Sequence, residues 1–263
     1  MEATTADRLR VSVVLPVRDQ ATSVALVLRQ LSGDLVHQIV IVDRESSDGT
    51  LEAARSVRPD ATIRRLPRTA GRRLALAEGF AAATGDVVVT LPVDGSADPT
   101  EIERYVAALA AGADFVKGSR VVVGGGSTAL SPLTIVWLRL LSWFANRITG
   151  AGFTDVAHAS FALWTHYARE LDLAGLGGRR PHDTVVDVLF ACRVAAAGAA
   201  VVEVPSTERV RLFGSRPQRL PAFRLLHALW RERRAADAGQ SFPAPTPVRA
   251  VPSRAKASTR SVA

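Results

Sequence analysis

The chain has 263 residues and is 48% hydrophobic, enough to bury one substantial core. Its single cysteine, Cys192, excludes an intrachain disulfide and is expected inside a helix, and no Cys/His cluster has the spacing of a structural zinc site. The net charge of +8 is uneven: residues 209–263 hold 12 Lys+Arg against 2 Asp+Glu, a balance of +10, which leaves 21 basic and 23 acidic residues, or −2, for residues 1–208.

From the N-terminus, "MEATTADRLR" has no apolar core of a signal peptide, and no run of about 18 uncharged apolar residues reads as a membrane span, so a cytoplasmic location is expected. "VSVVLP" (11–16) is a β-branched run ended by proline. "TSVALVLRQL" follows, with Val24, Leu28 and Leu31 at helical spacing behind Thr22 or Ser23 as cap. The unit then repeats. "HQIVIVD" precedes "DGTLEAARSV", "ATIRRL" precedes "GRRLALAEGFAAATG", "DVVVTL" precedes "PTEIERYVAALAAG", and "DFVKGSR" closes the series. Short strands alternating with helices predict an α/β fold with a mostly parallel sheet, whose ligands sit beyond the carboxyl ends of the strands. The loops after Leu15, Val42 and Leu91 should therefore converge.

Beyond Arg120 the rhythm breaks. "VVVGGGSTALSP" reads as a mobile glycine-rich loop. "LTIVWLRLLSWFANRITG" reads as a long helix interrupted by Arg139 and Arg147, either packed in the core or resting on a membrane interface. "HDTVVDVLFACRVAAAG" is a helix, "AAVVEVP" a strand and "QRLPAFRLLHALWRERRAAD" a terminal helix. These predict a flexible stretch at 1–9, one domain over 10–237, and a disordered basic tail over 238–263, which is too rich in Pro, Ser, Thr and Arg to order itself. The arginines mixed with Leu, Phe and Trp after residue 208 suit an anionic surface of lipid headgroups or phosphates. Nucleic acid is disfavoured, because aromatics are only 6% and no nucleic-acid-binding motif is present.

The first loop, "LPVRDQA", carries neither the G-x-G-x-x-G of a dinucleotide fold nor the G-x-x-x-x-G-K-[ST] of a phosphate loop. A nucleotidyltransferase would begin with a Gly- and Arg-rich phosphate loop, also absent after Leu15. The loops offer acids and arginines instead: Asp19 after the first strand, Asp43 ending the second, Asp94 ending the fourth. Asp48 of "DGT" and Asp98 of "DPTE" read as helix caps, the latter with proline at N1 and Glu101 at N3. Asp94 has no capping role to explain it.

Six ordered motifs, "LPVRDQ", "IVIVDRESSDGT", "AGRRLALAEGFAAATGDVVVTLPVDGSADPTEI", "DFVKGSR", "GFTDVAHASFALW" and "VVEVPSTERVRLFGS", resemble in order and spacing the family 2 glycosyltransferases of the dolichyl- or polyprenyl-phosphate sugar synthase type, over about residues 10–235. The resemblance implies a GT-A fold with a mixed, mostly parallel sheet. It further implies a UDP- or GDP-sugar donor, a divalent metal (Mg or Mn) at a D-x-D motif, and inverting hexose transfer to a polyprenyl phosphate at the inner face of the cell membrane, with peripheral attachment. On the matching positions, Pro16, Val17, Arg18 and Asp19 would cradle the base and Asp43 would face base or ribose. Asp94 is the second acid of D-x-D, Ser96 adjoins the metal, and Arg72 and Arg120 would meet phosphate. Asp155 is the acid near the acceptor, and Arg209 and Arg211 are the basic residues of the closing loop. The departures are Pro92 for the first acid of D-x-D, Asp19-Gln20 for N-E, "GRRLAL" for "GKGNAL", and "ASF" at Ala159 to Phe161 for "GYN" or "GFR". They leave a second reading open: a noncatalytic GT-A-fold protein that binds a nucleotide sugar, a lipid or a partner protein.

Overall fold

The computed structural model describes residues 9–31, 34–128, 130–173, 176, 183–209, 222–237 and 243–245. In chain order the strands are β1 (Val11–Val17), β2 (Val36–Asp43), β3 (Thr62–Arg65), β4 (Val87–Thr90), β5 (Phe115–Ser119), β6 (Gly126–Ser127), β7 (Phe161–Trp164), β8 (Val201–Pro205) and β9 (Thr207–Glu208). The helices are α1 (Ala21–Gln30), α2 (Thr50–Val57), α3 (Arg72–Ala82), α4 (Ile102–Ala110), α5 (Pro132–Thr149), α6 (Thr165–Glu170), α7 (Asp183–Ala196) and α8 (Ala222–Asp237). Seven strands form one sheet in the order β3-β2-β1-β4-β7-β5-β8. All its pairings are parallel except those of β7, which runs antiparallel to both β4 and β5.

The strands are continuous apolar runs because helices cover both faces of the sheet. β1 is buried at every position, and Phe80, Phe115, Phe161 and Phe190 meet with ring centroids 5.0 to 6.1 Å apart, joining α3, β5, β7 and α7. Cys192 is buried in α7, as expected.

Several local expectations are corrected. β1 runs one residue past Pro16, to Val17; its pairing with β4 stops at Val14, so the missing proline N–H is not needed by that neighbour. Thr22 and Ser23 lie inside α1 rather than capping it. The caps come from across the loop: Asp48 Oδ2 accepts from Ala21 N at 2.9 Å, and Thr50 Oγ1 accepts from Gln20 N at 2.8 Å. Asp48 Oδ1 also accepts from Thr50 N at 3.0 Å, so one carboxylate serves the starts of α1 and α2. "ASFALW" contains the strand β7. The glycine-rich segment after Arg120, expected as a loop, contains a short strand: β6 pairs with β9, and Gly126 N donates to Ser206 O at 3.1 Å. The expectations of a flexible 1–9 and a disordered 238–263 fall, but for Leu9 and residues 243–245, outside the described residues.

Candidate active site at the carboxyl ends of the strands

Four loops meet at the carboxyl edge of β1, β2 and β4. Pro16 and Val17 are buried within β1, so it is Arg18 and Asp19 that reach the surface. Asp19 adopts φ +52°, a left-handed conformation that aspartate tolerates better than most residues. Arg68 clasps it, with Nη2 to Oδ2 at 2.6 Å and Nη1 to Oδ1 at 3.4 Å. The same guanidinium donates to Glu45 O at 3.0 Å, while Arg68 N donates to Glu45 Oε2 at 2.9 Å. One arginine thus ties the loops after β1, β2 and β3 together. The hydrogen bonds from Arg68 and Ser47 hold the Asp19 carboxyl below the ordinary value.

Asp43 ends β2 fully buried. Its Oδ1 accepts from Ser46 N at 3.1 Å, and its Oδ2 lies 3.5 Å from Arg65 Nε. Arg44 turns the other way and pairs with Asp183 at 3.0 Å. Asp183, in the first turn of α7, also accepts from Arg72 N at 3.3 Å. Arg72 itself, buried at the start of α3, donates from Nε to Asp187 Oδ1 at 2.7 Å. Burial works against its charge, but Asp187, Asp183 and Asp94 together keep it protonated. Its Nη2 is buried with no hydrogen-bond partner among the described residues.

Asp94 does not end β4 but sits four residues past it, 8% exposed. Gly95 takes φ +80°, where a side chain would be strained, and this turn folds Ser96 back onto Asp94. Ser96 N and Oγ both donate to Asp94 Oδ1, at 3.0 and 2.5 Å. Ser96 O in turn accepts from Arg209 N at 2.9 Å, which brings the segment after β9 onto this turn. Arg209 Nη2 pairs with Asp98 Oδ2 at 2.5 Å while Asp98 Oδ1 caps Thr100 N at 3.0 Å. Asp98 is therefore the expected cap and also the anchor of Arg209.

Arg120 and Asp155 form a buried cluster. Arg120 donates to Asp155 from Nε (2.6 Å), Nη2 (2.9 Å) and N (3.2 Å), and from Nη1 to Glu208 at 2.9 Å. The Asp155 side chain is fully buried and that of Arg120 is 9% exposed. Burial alone would raise the Asp155 pKa, but the Arg120 hydrogen bonds and charge carry it below the usual carboxylate value. With two carboxylates on it, Arg120 acts here as an internal tie between the 154–155 loop and β9. Glu203 fixes that loop by accepting from Thr154 N at 2.8 Å and Asp155 N at 3.0 Å. Arg211 lies outside the described residues.

Beneath these groups runs a polar chain that sequence reasoning missed. His158 Nδ1 accepts from Ser160 N at 3.2 Å, which assigns its proton to Nε2; Nε2 faces Ser206 Oγ at 3.2 Å, and Ser206 Oγ donates to Glu101 Oε2 at 2.6 Å. Glu101 Oε1 accepts from Thr207 N at 2.7 Å, so the short 3-10 turn that leads into α4 holds β9 in place. Burial pushes the His158 pKa down to about 3, keeping the ring neutral. The glycine of "GSR" is explained here: a Cβ at Gly118 would lie 2.2 Å from Tyr105 Oη and 2.8 Å from His158 Nδ1. Lys117 is fully buried and donates to His158 O. Only tertiary placement reveals these roles; the proximity of Glu101 to a cap was the sole signal in sequence.

Among the described residues no group of three His, Cys, Asp or Glu side chains is placed to hold a metal ion. Asp94 with Ser96 offers hard oxygen ligands, a set that fits Mg or Mn only when phosphate and water complete the shell.

The sheet order, with one antiparallel strand among parallel ones and the acids at the strand ends, is a GT-A glycosyltransferase fold. Glucosyl-3-phosphoglycerate synthase from Mycobacterium tuberculosis, solved with phosphoglyceric acid, superposes with a TM-score of 0.64 at 20% identity over 86% of this chain and 81% of that one. Its complex with Mn2+, UDP and glucosyl-3-phosphoglycerate gives 0.59 at 19% identity over 89% and 80%. The model of the glycosyl transferase family 2 matches residues 12–169, and the chain belongs to that family. Among curated relatives, the dolichol-phosphate mannosyltransferase of Pyrococcus furiosus is 30% identical over 122 residues, 44% of this chain and 35% of that protein. The undecaprenyl-phosphate 4-deoxy-4-formamido-L-arabinose transferase of Pseudomonas savastanoi pv. phaseolicola is 30% identical over 197 residues, 70% of this chain and 50% of that protein. The polyprenol monophosphomannose synthase of Mycolicibacterium smegmatis is 28% identical over 222 residues, 81% and 82% of the two chains. The chain thus spans between a third and a half of the first two relatives and most of the third.

Proposed function

We propose that residues 10–237 act as one glycosyltransferase unit that moves a hexose from a UDP- or GDP-sugar to a polyprenyl-phosphate-type lipid with inversion, peripherally at the inner face of the cell membrane. The observation that carries this reading is the Asp94-Gly95-Ser96 turn, where a buried carboxylate, a hydroxyl and the Arg209 segment meet at the end of β4. The names of the three relatives given above, each a sugar transferase or synthase of a dolichol, undecaprenyl or polyprenol phosphate, support the same reading.

The chemistry asks little of a general base. A phosphate monoester with second pKa about 6 is mostly dianionic near neutral pH and attacks directly, so the protein must position it and neutralise the leaving diphosphate. Asp94 and Ser96 would hold the divalent metal, which when bound supplies positive charge to that diphosphate. Arg209, swung from Asp98, supplies a guanidinium for its oxygens, and the unpartnered Nη2 of Arg72 adds charge behind Asp94. Arg18, Asp19 and Asp43 line the base side, with Asp43 offering its Oδ2 to a donor N–H or hydroxyl. Arg120 and Asp155 are positioning residues: their ion pair sets β9 and hence Arg209.

Transfer of radiolabel from a panel of UDP- and GDP-sugars to polyprenyl phosphate, with Mg or Mn, tests the proposal. Labelled lipid is the expected result. Nucleotide binding without turnover across the whole panel would overturn it in favour of a noncatalytic binding protein, a reading that Pro92 in place of an acid keeps specific.

A further inference from the structure

Helix α5 has two apolar faces. Leu138, Leu141 and Ala145 are buried against the body, together with Ser142. On the opposite side Leu133, Val136, Leu140 and Trp143 stand 79%, 62%, 54% and 60% exposed. At about 100° per residue those four side chains fall within an arc of about 80°, a single stripe along the helix. One exposed leucine needs no explanation, but a stripe of four large apolar side chains does. The helix contains no acidic residue, and its exposed Arg139 and Arg147 border the stripe and close its C-terminal end. α8 packs against α5 and adds an exposed Trp230, with the Arg234 guanidinium 3.8 Å above its ring and Arg233 exposed beside it.

We propose that this α5–α8 surface docks on an anionic lipid bilayer, with α5 lying in the interface plane. The stripe enters the boundary between headgroups and acyl chains, and the arginines meet lipid phosphates. Spanning is not the mode, since no helix among the described residues is long and apolar enough to cross a membrane. Charge selects the occupant. A second copy set against the same face by a two-fold axis would bring the four arginines of each chain together, whereas an anionic surface is complementary to all of them. The +10 balance of residues 209–263 has the same sign.

The surface is also wired to the site. Asn146 of α5 exchanges two 2.8 Å hydrogen bonds with the Phe153 backbone, and Ser142 Oγ accepts from Val156 N at 3.1 Å. These bonds bracket Asp155, the partner of Arg120. A bilayer under α5 therefore lies beside the loop of Asp155, the residue that the family resemblance puts near the acceptor. The inference rests on the lipid-acceptor reading for its purpose, and the test separates the two.

The full chain is floated with vesicles of phosphatidylcholine alone or with about one third phosphatidylglycerol. Binding to the anionic vesicles should exceed binding to the neutral ones at least tenfold and weaken with salt. Leu140→Ser/Trp143→Ser should cut vesicle binding about tenfold or more with an unchanged melting temperature, and Arg139→Glu/Arg147→Glu should clearly reduce the anionic preference. Wild-type-like flotation of both variants would overturn the proposal, as would equal binding to neutral vesicles. So would a solution dimer that Leu140→Ser/Trp143→Ser dissociates, which would assign the stripe to a second copy. A short, water-soluble prenyl phosphate distinguishes docking from transfer. The docking-defective variant should use it as wild type does, and failure of wild type to glycosylate any acceptor while still floating would sink the transferase reading alone.

Discussion

Asp155→Asn isolates the charge of a deeply buried ion pair. The substitution keeps the shape and one acceptor oxygen but leaves Arg120, 9% exposed, with Glu208 as its only anionic partner among the described residues. Removing one partner of a buried pair costs about 3–5 kcal/mol; the 2.9 Å bond to Glu208 survives, so the lower end, about 3 kcal/mol, applies here. For a domain of this size that is a fall of about 6–12 °C in Tm, read by circular dichroism. Arg120→Met/Asp155→Asn removes both charges and should recover part of the loss, because the uncompensated guanidinium is gone and the Glu208 side chain, 17% exposed, retains some access to water. The pH dependence has a defined sign. The Asp155 pKa is lowered on folding, so its contribution is fully present above the unfolded carboxylate value near about 4 and is lost as pH falls through the folded value. The gap between wild type and Asp155→Asn should therefore narrow in acid. A variant within about 0.5 kcal/mol of wild type at neutral pH, or a gap that widens in acid, would refute the reasoning.

His158, neutral at a pKa of about 3 when folded, must take up a proton on unfolding below about pH 6.5, so urea unfolding should show stability falling by up to about 1.4 kcal/mol per unit between pH 6 and pH 4, a slope that His158→Gln removes. Asp94→Asn should abolish metal-dependent UDP or GDP binding in calorimetry with manganese, because a neutral amide is a poor ligand for a hard cation; equal affinity in the two proteins would point to a site built on arginine alone. Asp98→Asn keeps the cap on Thr100 N and loses a half-exposed ion pair, so Tm should move by less than about 1 kcal/mol equivalent while nucleotide affinity is held or improved by the released Arg209; a marked loss of affinity would show that the pair presents Arg209 rather than restrains it.

The alternation of strands and helices was legible because it is written in short-range periodicity. β2, β4 and β5 fall within a residue or two of their sequence-predicted ends, and the acids Asp19, Asp43 and Asp94 do gather at one edge of the sheet. β7 was not legible. Its four residues are buried on both faces, so Phe161 to Trp164 show no alternation and run directly into α6. β6 and β9, two residues each, are too short for any period, and only their partners define them. The roles of the arginines were the least legible of all. Arg68, absent from the sequence-level site, clasps Asp19, while Arg120, placed there as a phosphate ligand, is held by two carboxylates; a one-dimensional pattern gives the guanidinium's position and not what faces it.

The same distinction bears on Pro92. Read as a lost metal ligand, it suggests a damaged site, because two carboxylates two residues apart would otherwise converge on one cation. In the structure the surviving acid is far from idle: Asp94 is buried, its turn is set by Gly95 and Ser96, and the charge of Arg72 lies behind it. A second acid at position 92 would add another negative charge beside Asp94, with the Arg72 Nε already committed to Asp187. A single acid leaves less negative charge facing an incoming diphosphate, and a cation that prefers phosphate and water oxygens can complete its shell from the donor. The loss at position 92 is thus compatible with a site that binds its metal together with the nucleotide rather than before it, and ordered-addition calorimetry, manganese first or nucleotide first, reads that order directly.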